Sequence, residues 1–287
     1  MPFKNVLLIG CGLIGCSLTL ALKETKEVKL IYGYDKSDKN LNEALKIGAI
    51  DKKTNLDDVL FYDLIILATP VEDIINLLNN IIPRLNKNTL ITDVGSTKYE
   101  IIKTVESFEN SNINFIGGHP MAGLEKSGPL YAQKDLFKGK PYILIKSKYC
   151  SSIYFENFKN LIEKIGTHII EMDAKTHDKI VSVTSHLPQV VAFYLVKTLQ
   201  IFQENNSDYI KLVGSGFKDT TRIAKSDPNM WLSIFKLNKD NIINALDKFE
   251  EGIEEFKIKL ENGLYDELLI ELENISKFRS SIDRLIE

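Results

Sequence analysis

Residues 117–128 read Gly-Gly-His-Pro-Met-Ala-Gly-Leu-Glu-Lys-Ser-Gly, and these types at this spacing suit proton transfer better than folding. The glycines let the backbone approach a ligand, the proline fixes one φ angle, and His119 titrates near neutral pH. Three further stretches carry polar groups of the same kind: Ser185-His186-Leu187-Pro188-Gln189, the glycine-led run Gly214 to Arg222, and Asp227-Pro228-Asn229-Met230-Trp231 with the only tryptophan. Each has a plainer alternative. His119 could sit in a solvated glycine turn, His186 could be a satisfied core histidine, Arg222 a surface ion pair, and Trp231 a core side chain.

The elements that must position these groups begin at the N-terminus. Lys4 to Ile9 is a short apolar run of the kind expected in a parallel strand buried on both faces. Gly10-Cys11-Gly12-Leu13-Ile14-Gly15 follows, and Ser17 to Lys23 continues as an apolar helix. In such a turn Gly10 permits the bend, Gly12 admits a pyrophosphate, and Gly15 lets helix pack on strand. The phosphates then meet free N–H groups at a helix N-terminus, so Leu13 and Ile14 join the expected cofactor contacts. A second strand, Val28 to Tyr34, ends at Asp35, twenty residues beyond Gly15. A carboxylate there accepts from both ribose hydroxyls and repels a 2′-phosphate, which favours NAD over NADP. Asp35 also reads as a helix N-terminal acid, because Ser37 and Asp38 look like caps.

Strands are predicted at 63–68, 89–93, 114–118, 141–146 and 167–172, with Thr69-Pro70-Val71 and Val94 to Lys98 opening helices between them. This alternation predicts an α/β fold, a Rossmann-type doubly wound and mostly parallel sheet, over residues 1–172. Ligands bind outside the carboxyl ends of such strands, where Gly10, Thr69, Ser96 and His119 all fall. Beyond Asp173 the strand signal stops. Lys179 to Phe202, Ile242 to Leu260 and Tyr265 to Leu285 have helical spacing, and Pro188 should kink or break the first of them. Residues 173–287 are therefore expected to form an all-helical domain, apolar enough to pair with a second copy as a homodimer.

The 287 residues suffice for two domains, and a net charge of −3 gives no support to nucleic-acid or membrane binding. Three cysteines, Cys11, Cys16 and Cys150, lack metal-ligand spacing and suit a reducing cytoplasm, so no metal is expected. Leu13-Ile14-Gly15-Cys16 imitates a lipoprotein cleavage site, but cleavage would remove the first strand of the sheet. No other apolar run was expected to reach the ~20 residues that span a bilayer.

Taken together, Gly10 to Gly15, Asp93-Val-Gly-Ser96, Gly118 to Gly123 with Glu125 to Gly128, Ser185 to Pro188, and Gly216 to Arg222 resemble the prephenate/arogenate dehydrogenase family of tyrosine biosynthesis. The likeness runs from Lys4 to about Trp231 and is nearest to the short bacterial form. It implies NAD-dependent oxidative decarboxylation of a cyclohexadienol dicarboxylate. By the same likeness His119 is the catalytic base, and Ser96 orients the hydroxyl or the histidine beside the nicotinamide. Arg222 binds a substrate carboxylate, and His186, Gln189, Glu125 and Trp231 contact substrate. Glu125, Lys126, Lys218 and Asp219 are expected to form an ionic gate. Leu124 departs from relatives with a polar residue before the matching glutamate.

Gln189 lies about one helical turn from His186 and offers a neutral amide. A carboxylate there would favour the ammonium of arogenate, so prephenate is the expected substrate. Two alternatives remain: a β-hydroxyacid dehydrogenase with a catalytic lysine, and a non-catalytic NAD sensor.

Overall fold

A computed structural model describes residues 3–85, 88–109, 113–204 and 206–286. They form two compact units, Met1–Lys239 and Asp240–Glu287. Compactness thus groups residues 173–239 with the sheet, whereas the expected division at 172/173 marks the change from strands to helices.

The first unit is built on eight strands in the order β3-β2-β1-β4-β5-β6-β7-β8. They are β1 Phe3–Ile9, β2 Val28–Tyr34, β3 Lys52–Lys53, β4 Leu64–Leu67, β5 Leu90–Asp93, β6 Asn114–Pro120, β7 Pro141–Lys146 and β8 His168–Glu171. The helices between them are α1 Leu13–Glu24, α2 Asp38–Lys46, α3 Val71–Ile81, α4 Tyr99–Glu106 and α5 Ser152–Lys164. Strand alternation sorts side chains into two cores. Val6 and Leu8 join one with Leu18, Leu22 and Phe158. Leu7 and Ile9 join the other with Ile74, Leu78 and Ile101. A strand covered on both faces must be apolar throughout, which is why residues 6–9 of β1 and the whole of β4 read as unbroken hydrophobic runs.

β1 pairs in parallel with both β2 and β4. The strand order reverses there, and Ile9, Leu67, Asp93 and Pro120 end on a common rim. Two features departed from expectation. The two-residue strand β3 has no apolar pattern to announce it. β7 runs antiparallel to β6, and where the two strands meet Met121 N–H donates to the Pro141 carbonyl at 2.9 Å.

After β8 come α6 Ala174–Val181, a π-helical turn Ser182–His186 and α7 Leu187–Gln203. Asp173 starts α6 by accepting from the N–H groups of Lys175 and Thr176. Pro188 was expected to kink this run or mark a turn. It falls in the first turn of α7, where its missing N–H costs little, and the widened turn directly before it absorbs the ring. The 30 residues Ala174–Gln203 are long and apolar enough to cross a membrane by length and composition, which corrects the expectation that no such run exists. They carry the buried polar residues His177, Asp178, His186 and Gln189.

Short helices α8 Asp208–Lys211, α9 Ser215–Thr220 and α10 Pro228–Leu237 complete the first unit. The second unit holds most of α11 Lys239–Glu261 and all of α12 Tyr265–Ile286. Gly263, at φ +67°, supplies the left-handed residue that the turn between them needs.

Candidate active site

The glycine turn after β1 uses its three glycines for three reasons. Gly10 has φ +97°, and a Cβ there would lie 2.5 Å from the Ala68 carbonyl oxygen. A Cβ on Gly15 would lie 2.4 Å from the Gly10 carbonyl oxygen, so α1 rests directly on the turn. Gly12 has open space where its Cβ would be. It is also the N-cap of α1 without a side-chain cap, which leaves backbone donors for an anion. Leu13 is buried in the core and Ile14 packs against it, so only their main chains are available to a ligand. Val71 is likewise buried at the start of α3.

Asp35 braces this turn. Its Oδ2 accepts from the Cys11 N–H at 2.8 Å and its Oδ1 from the Ser37 N–H at 2.7 Å. The cap of α2 is Ser37, which accepts from the Asn40 N–H, so Asp35 is not the capping residue. A cavity of about 690 Å³ opens beside it, lined by Gly10, Gly12, Asp35, Thr69 and Pro70, and also by Ser127 and Gly128 of the histidine loop. Its volume and lining suit a dinucleotide: an open glycine, a helix N-terminus and a half-buried carboxylate. Lys36 reaches Asp73 at 3.3 Å, so its charge is already engaged within the chain.

The chemistry at the other end of the rim is built from side chains far apart in sequence. Gly118 lets β6 approach β5, since a Cβ there would lie 2.4 Å from the Asp93 carbonyl oxygen. His119 follows and is only 8% exposed. Its Nδ1 meets His177 Nε2 at 2.8 Å, and His177 Nδ1 meets Asp178 Oδ1 at 2.7 Å. The Asp178 carboxylate also accepts from the backbone N–H groups of Lys98 at 2.7 Å and Tyr99 at 2.9 Å, holding the start of α4.

Beneath these groups lies a fully buried ion pair of Lys98 with Asp93. Asp93 also accepts from the N–H groups of Gly95 at 2.8 Å and Gly118 at 3.2 Å. Burial pushes the Asp93 carboxyl up and the Lys98 ammonium down, while their attraction opposes both shifts.

Burial pushes the pKa of His119 well below the ordinary histidine value, and His177, Lys98 and His186 push the same way. His186 is pushed down to about 4, chiefly by burial. Both imidazoles are neutral at pH 7. His186 Nδ1 faces the Asn238 amide at 3.1 Å, and that amide also donates to the Asp178 carbonyl at 2.7 Å. The Trp231 ring stands edge-on to His186 with centroids 6.0 Å apart, and its buried Nε1–H finds no partner among the described residues.

Other expected residues fall differently. Among the described residues no hydrogen bond joins Ser96 to His119, whose Nδ1 goes to His177 instead. Gln189 is buried and donates from Nε2 to the Ile223 carbonyl at 3.0 Å, beside Arg222. Glu125 forms an ion pair with Arg222, not with Lys218. Lys126 lies over the Tyr131 ring at 4.8 Å, and Lys218 and Asp219 are exposed on α9. Within one chain the four gate residues are thus not assembled into one network. His177, Asp178, Lys98 and Asn238 were missed by sequence reasoning; an adjacent His-Asp pair at the start of an apolar helix was the available signal.

Comparison with known proteins gives two family models. One, for the prephenate dehydrogenase nucleotide-binding domain, matches residues 18–171. The other, for the prephenate dehydrogenase dimerization domain, matches residues 173–274. The chain is 40% identical over 255 residues to prephenate dehydrogenase of Bacillus subtilis, covering 88% of this chain and 68% of that one. It is 30% identical over 283 residues to cyclohexadienyl dehydrogenase of Zymomonas mobilis, covering 98% and 96%. Its structure is similar to that of Aquifex aeolicus prephenate dehydrogenase in complex with hydroxyphenyl propionate and NAD+. The TM-score is 0.91 at 34% identity, covering 98% of this chain and 99% of that one.

Proposed function

The chain belongs to the prephenate dehydrogenase family, and on that premise we propose that it oxidises prephenate to 4-hydroxyphenylpyruvate with loss of carbon dioxide, in tyrosine biosynthesis. It is an NAD-dependent dehydrogenase. The observation that carries the choice of chemistry is His119. It is a nearly buried, neutral imidazole on the same rim of strand ends as the glycine turn, with one ring nitrogen engaged and one left for substrate.

NAD, when bound, supplies a hydride acceptor. Gly10, Gly12 and Gly15 with the main chain of Leu13 and Ile14 would hold its phosphates, Asp35 its ribose, and Thr69, Pro70 and Val71 the adjoining wall. His119 Nε2 accepts the proton of the substrate hydroxyl as the carbonyl forms, which is work suited to a neutral imidazole shielded from water. Ser96, half-buried in the loop after β5, orients that hydroxyl.

Arg222 holds a substrate carboxylate in its guanidinium fork, exchanging it for Glu125. The Arg222 and Glu125 side chains are 60% and 34% exposed, so the pair is weak enough to be displaced. His186 and the unpartnered Trp231 indole N–H complete the substrate contacts, and Gln189 fixes the backbone beside Arg222.

On this reading residues 1–172 serve the cofactor and 173–287 serve substrate and dimerisation. Apolar side chains exposed within one chain on α7, among them Tyr194, Ile201 and Phe202, support a homodimer. Three free, buried cysteines support a cytoplasmic location. The intact His119, Ser96 and Arg222 set argues against a pure NAD sensor.

Purified protein with NAD, given prephenate in one cuvette and arogenate in another, tests the proposal by NADH formation. Turnover of prephenate alone is expected. The cyclohexadienyl dehydrogenase likeness supports a second reading, in which arogenate is also accepted. Turnover of neither substrate by protein that binds NAD would overturn both.

A further inference from the structure

His119 has a task in the proposed mechanism, whereas the two buried polar neighbours behind it, His177 and Asp178, have none. His177 stands on α6 with its ring edge-on to that of His119, centroids 5.0 Å apart. We infer that His177 and Asp178 are positioning residues that hold His119 in its Nδ1-protonated tautomer, so that Nε2 presents a lone pair to the substrate hydroxyl. The inference rests on the role given to His119 above.

With His177 neutral, the donor and acceptor count fixes the direction of the chain. Asp178 accepts two backbone N–H groups and has a third contact, to His177 Nδ1. A carboxylate accepts and does not donate, so His177 Nδ1 carries the hydrogen and donates it. His177 Nε2 is then an acceptor, and among the described residues the donor facing it is His119 Nδ1–H. His119 Nε2 is left without a proton.

In the chemical step the substrate O–H bond breaks and an N–H bond forms at His119 Nε2. The oxygen electron pair becomes the C=O bond as hydride leaves the same carbon, for which NAD, when bound, would be the acceptor. The electron pair of the breaking bond to carbon dioxide then returns through the ring to that oxygen, which takes the proton back as the ring becomes aromatic. The imidazolium formed on His119 is stabilised through His177 by the negative charge of Asp178. Other groups facing His119 act against that charge or are neutral: Lys98, itself paired with Asp93, from the loop before α4, and His186 from the π turn.

Asp178 also holds the start of α4, so loss of activity alone would not separate positioning from folding. Tautomers read by 15N NMR of the four histidines, without substrate, make the separation. Wild-type His119 is expected as Nδ1–H. Asp178→Asn keeps a cap oxygen but can donate to His177 Nδ1, reversing the chain and moving the His119 proton to Nε2. With prephenate, its kcat is expected to fall about 100-fold or more, with KM within about threefold.

His177→Gln, whose amide oxygen still accepts from His119 Nδ1–H, should retain about tenfold more kcat than His177→Leu. In the leucine variant the hydrogen bond to His119 Nδ1 is lost, so the acid limb of the kcat profile should move to lower pH. A move to higher pH would instead mark His177 as a cation that repels the His119 imidazolium, and overturn the inference. A wild-type His119 in the Nε2–H form overturns the inference, as does His177→Leu with unchanged kcat and pH profile. An Nδ1–H tautomer in a protein that turns over neither prephenate nor arogenate supports the positioning and counts instead against the role of His119.

Discussion

The two ends of the rim solve their problems with different materials. At the cofactor end the recognition surface is mostly main chain. Gly12 has open space, α1 offers uncapped N–H groups, and the Asp35 carboxylate is braced by neighbours in the turn and α2. At the proton-transfer end, His119 on β6 depends on His177 and Asp178 from α6, which in turn hold the first residues of α4. The first end is local in sequence and open to solvent. The second is assembled from distant segments and shut away from water, so it should be more sensitive to single side chains and to pH.

The largest expected effect breaks the second end alone. His119→Asn removes the proposed proton acceptor and should lower kcat about a thousandfold, the range that a general base contributes. NAD affinity, measured by fluorescence titration, should stay within about twofold, because the cofactor residues are elsewhere on the rim. Equal losses of kcat and NAD binding would mean that the two ends are not separable.

The pH dependence of folding sharpens the contrast. His186 titrates near 6.5 when unfolded and at about 4 in the fold, chiefly because it is buried. Below pH 6.5 the unfolded chain binds a proton that the fold refuses, so stability present above pH 6.5 is lost as pH falls toward 4. His186 alone would contribute about 3 kcal/mol over that window, and His119 adds in the same direction. Denaturant titrations from pH 7 to pH 4 should show this decline, and His186→Gln should flatten it. A decline equally steep in that variant would assign the effect to other groups.

Asp35→Asn probes the first end. It removes the charge while leaving an oxygen for one backbone N–H, so the NAD KM should rise about tenfold with kcat nearly unchanged. Discrimination against NADP, read as the ratio of kcat/KM values, should narrow because nothing repels the 2′-phosphate. A fall in kcat without a change in NAD KM would show that Asp35 only braces the turn.

The difference between the ends also explains what the sequence discloses. A glycine spacing encodes a backbone path, and β1, its turn and α1 were readable because each depends on neighbours along the chain. So were β2 and the position of Asp35. The strand ends that bring Ser96 and His119 to one rim followed from parallel topology. Lys52–Lys53 as a strand was invisible, because an edge strand of two lysines has no buried face. The π turn at Ser182–His186 was hidden too, since it shows in hydrogen-bond register and not in composition. The roles of His177 and Asp178 depend on where α6 packs, which no local pattern records. Lys98 reads in sequence only as part of the segment that opens a helix, and its pairing with Asp93 exists only in the fold.

The smallest effect concerns the Glu125–Arg222 ion pair, which links the histidine loop to the Arg222 segment. Its partners are half-exposed, so Glu125→Gln should change stability by no more than about 1 kcal/mol. In the free protein Glu125 occupies the guanidinium that a substrate carboxylate would use. Removing its charge should therefore lower the prephenate KM about two- to threefold and leave kcat unchanged, since binding gains equally in ground and transition states. Arg222→Gln should do the opposite, raising KM by about two orders of magnitude, in keeping with loss of a charge-assisted fork. If Glu125→Gln instead raises KM tenfold, Glu125 supports the bound substrate, and the proton-transfer end extends out to the loop.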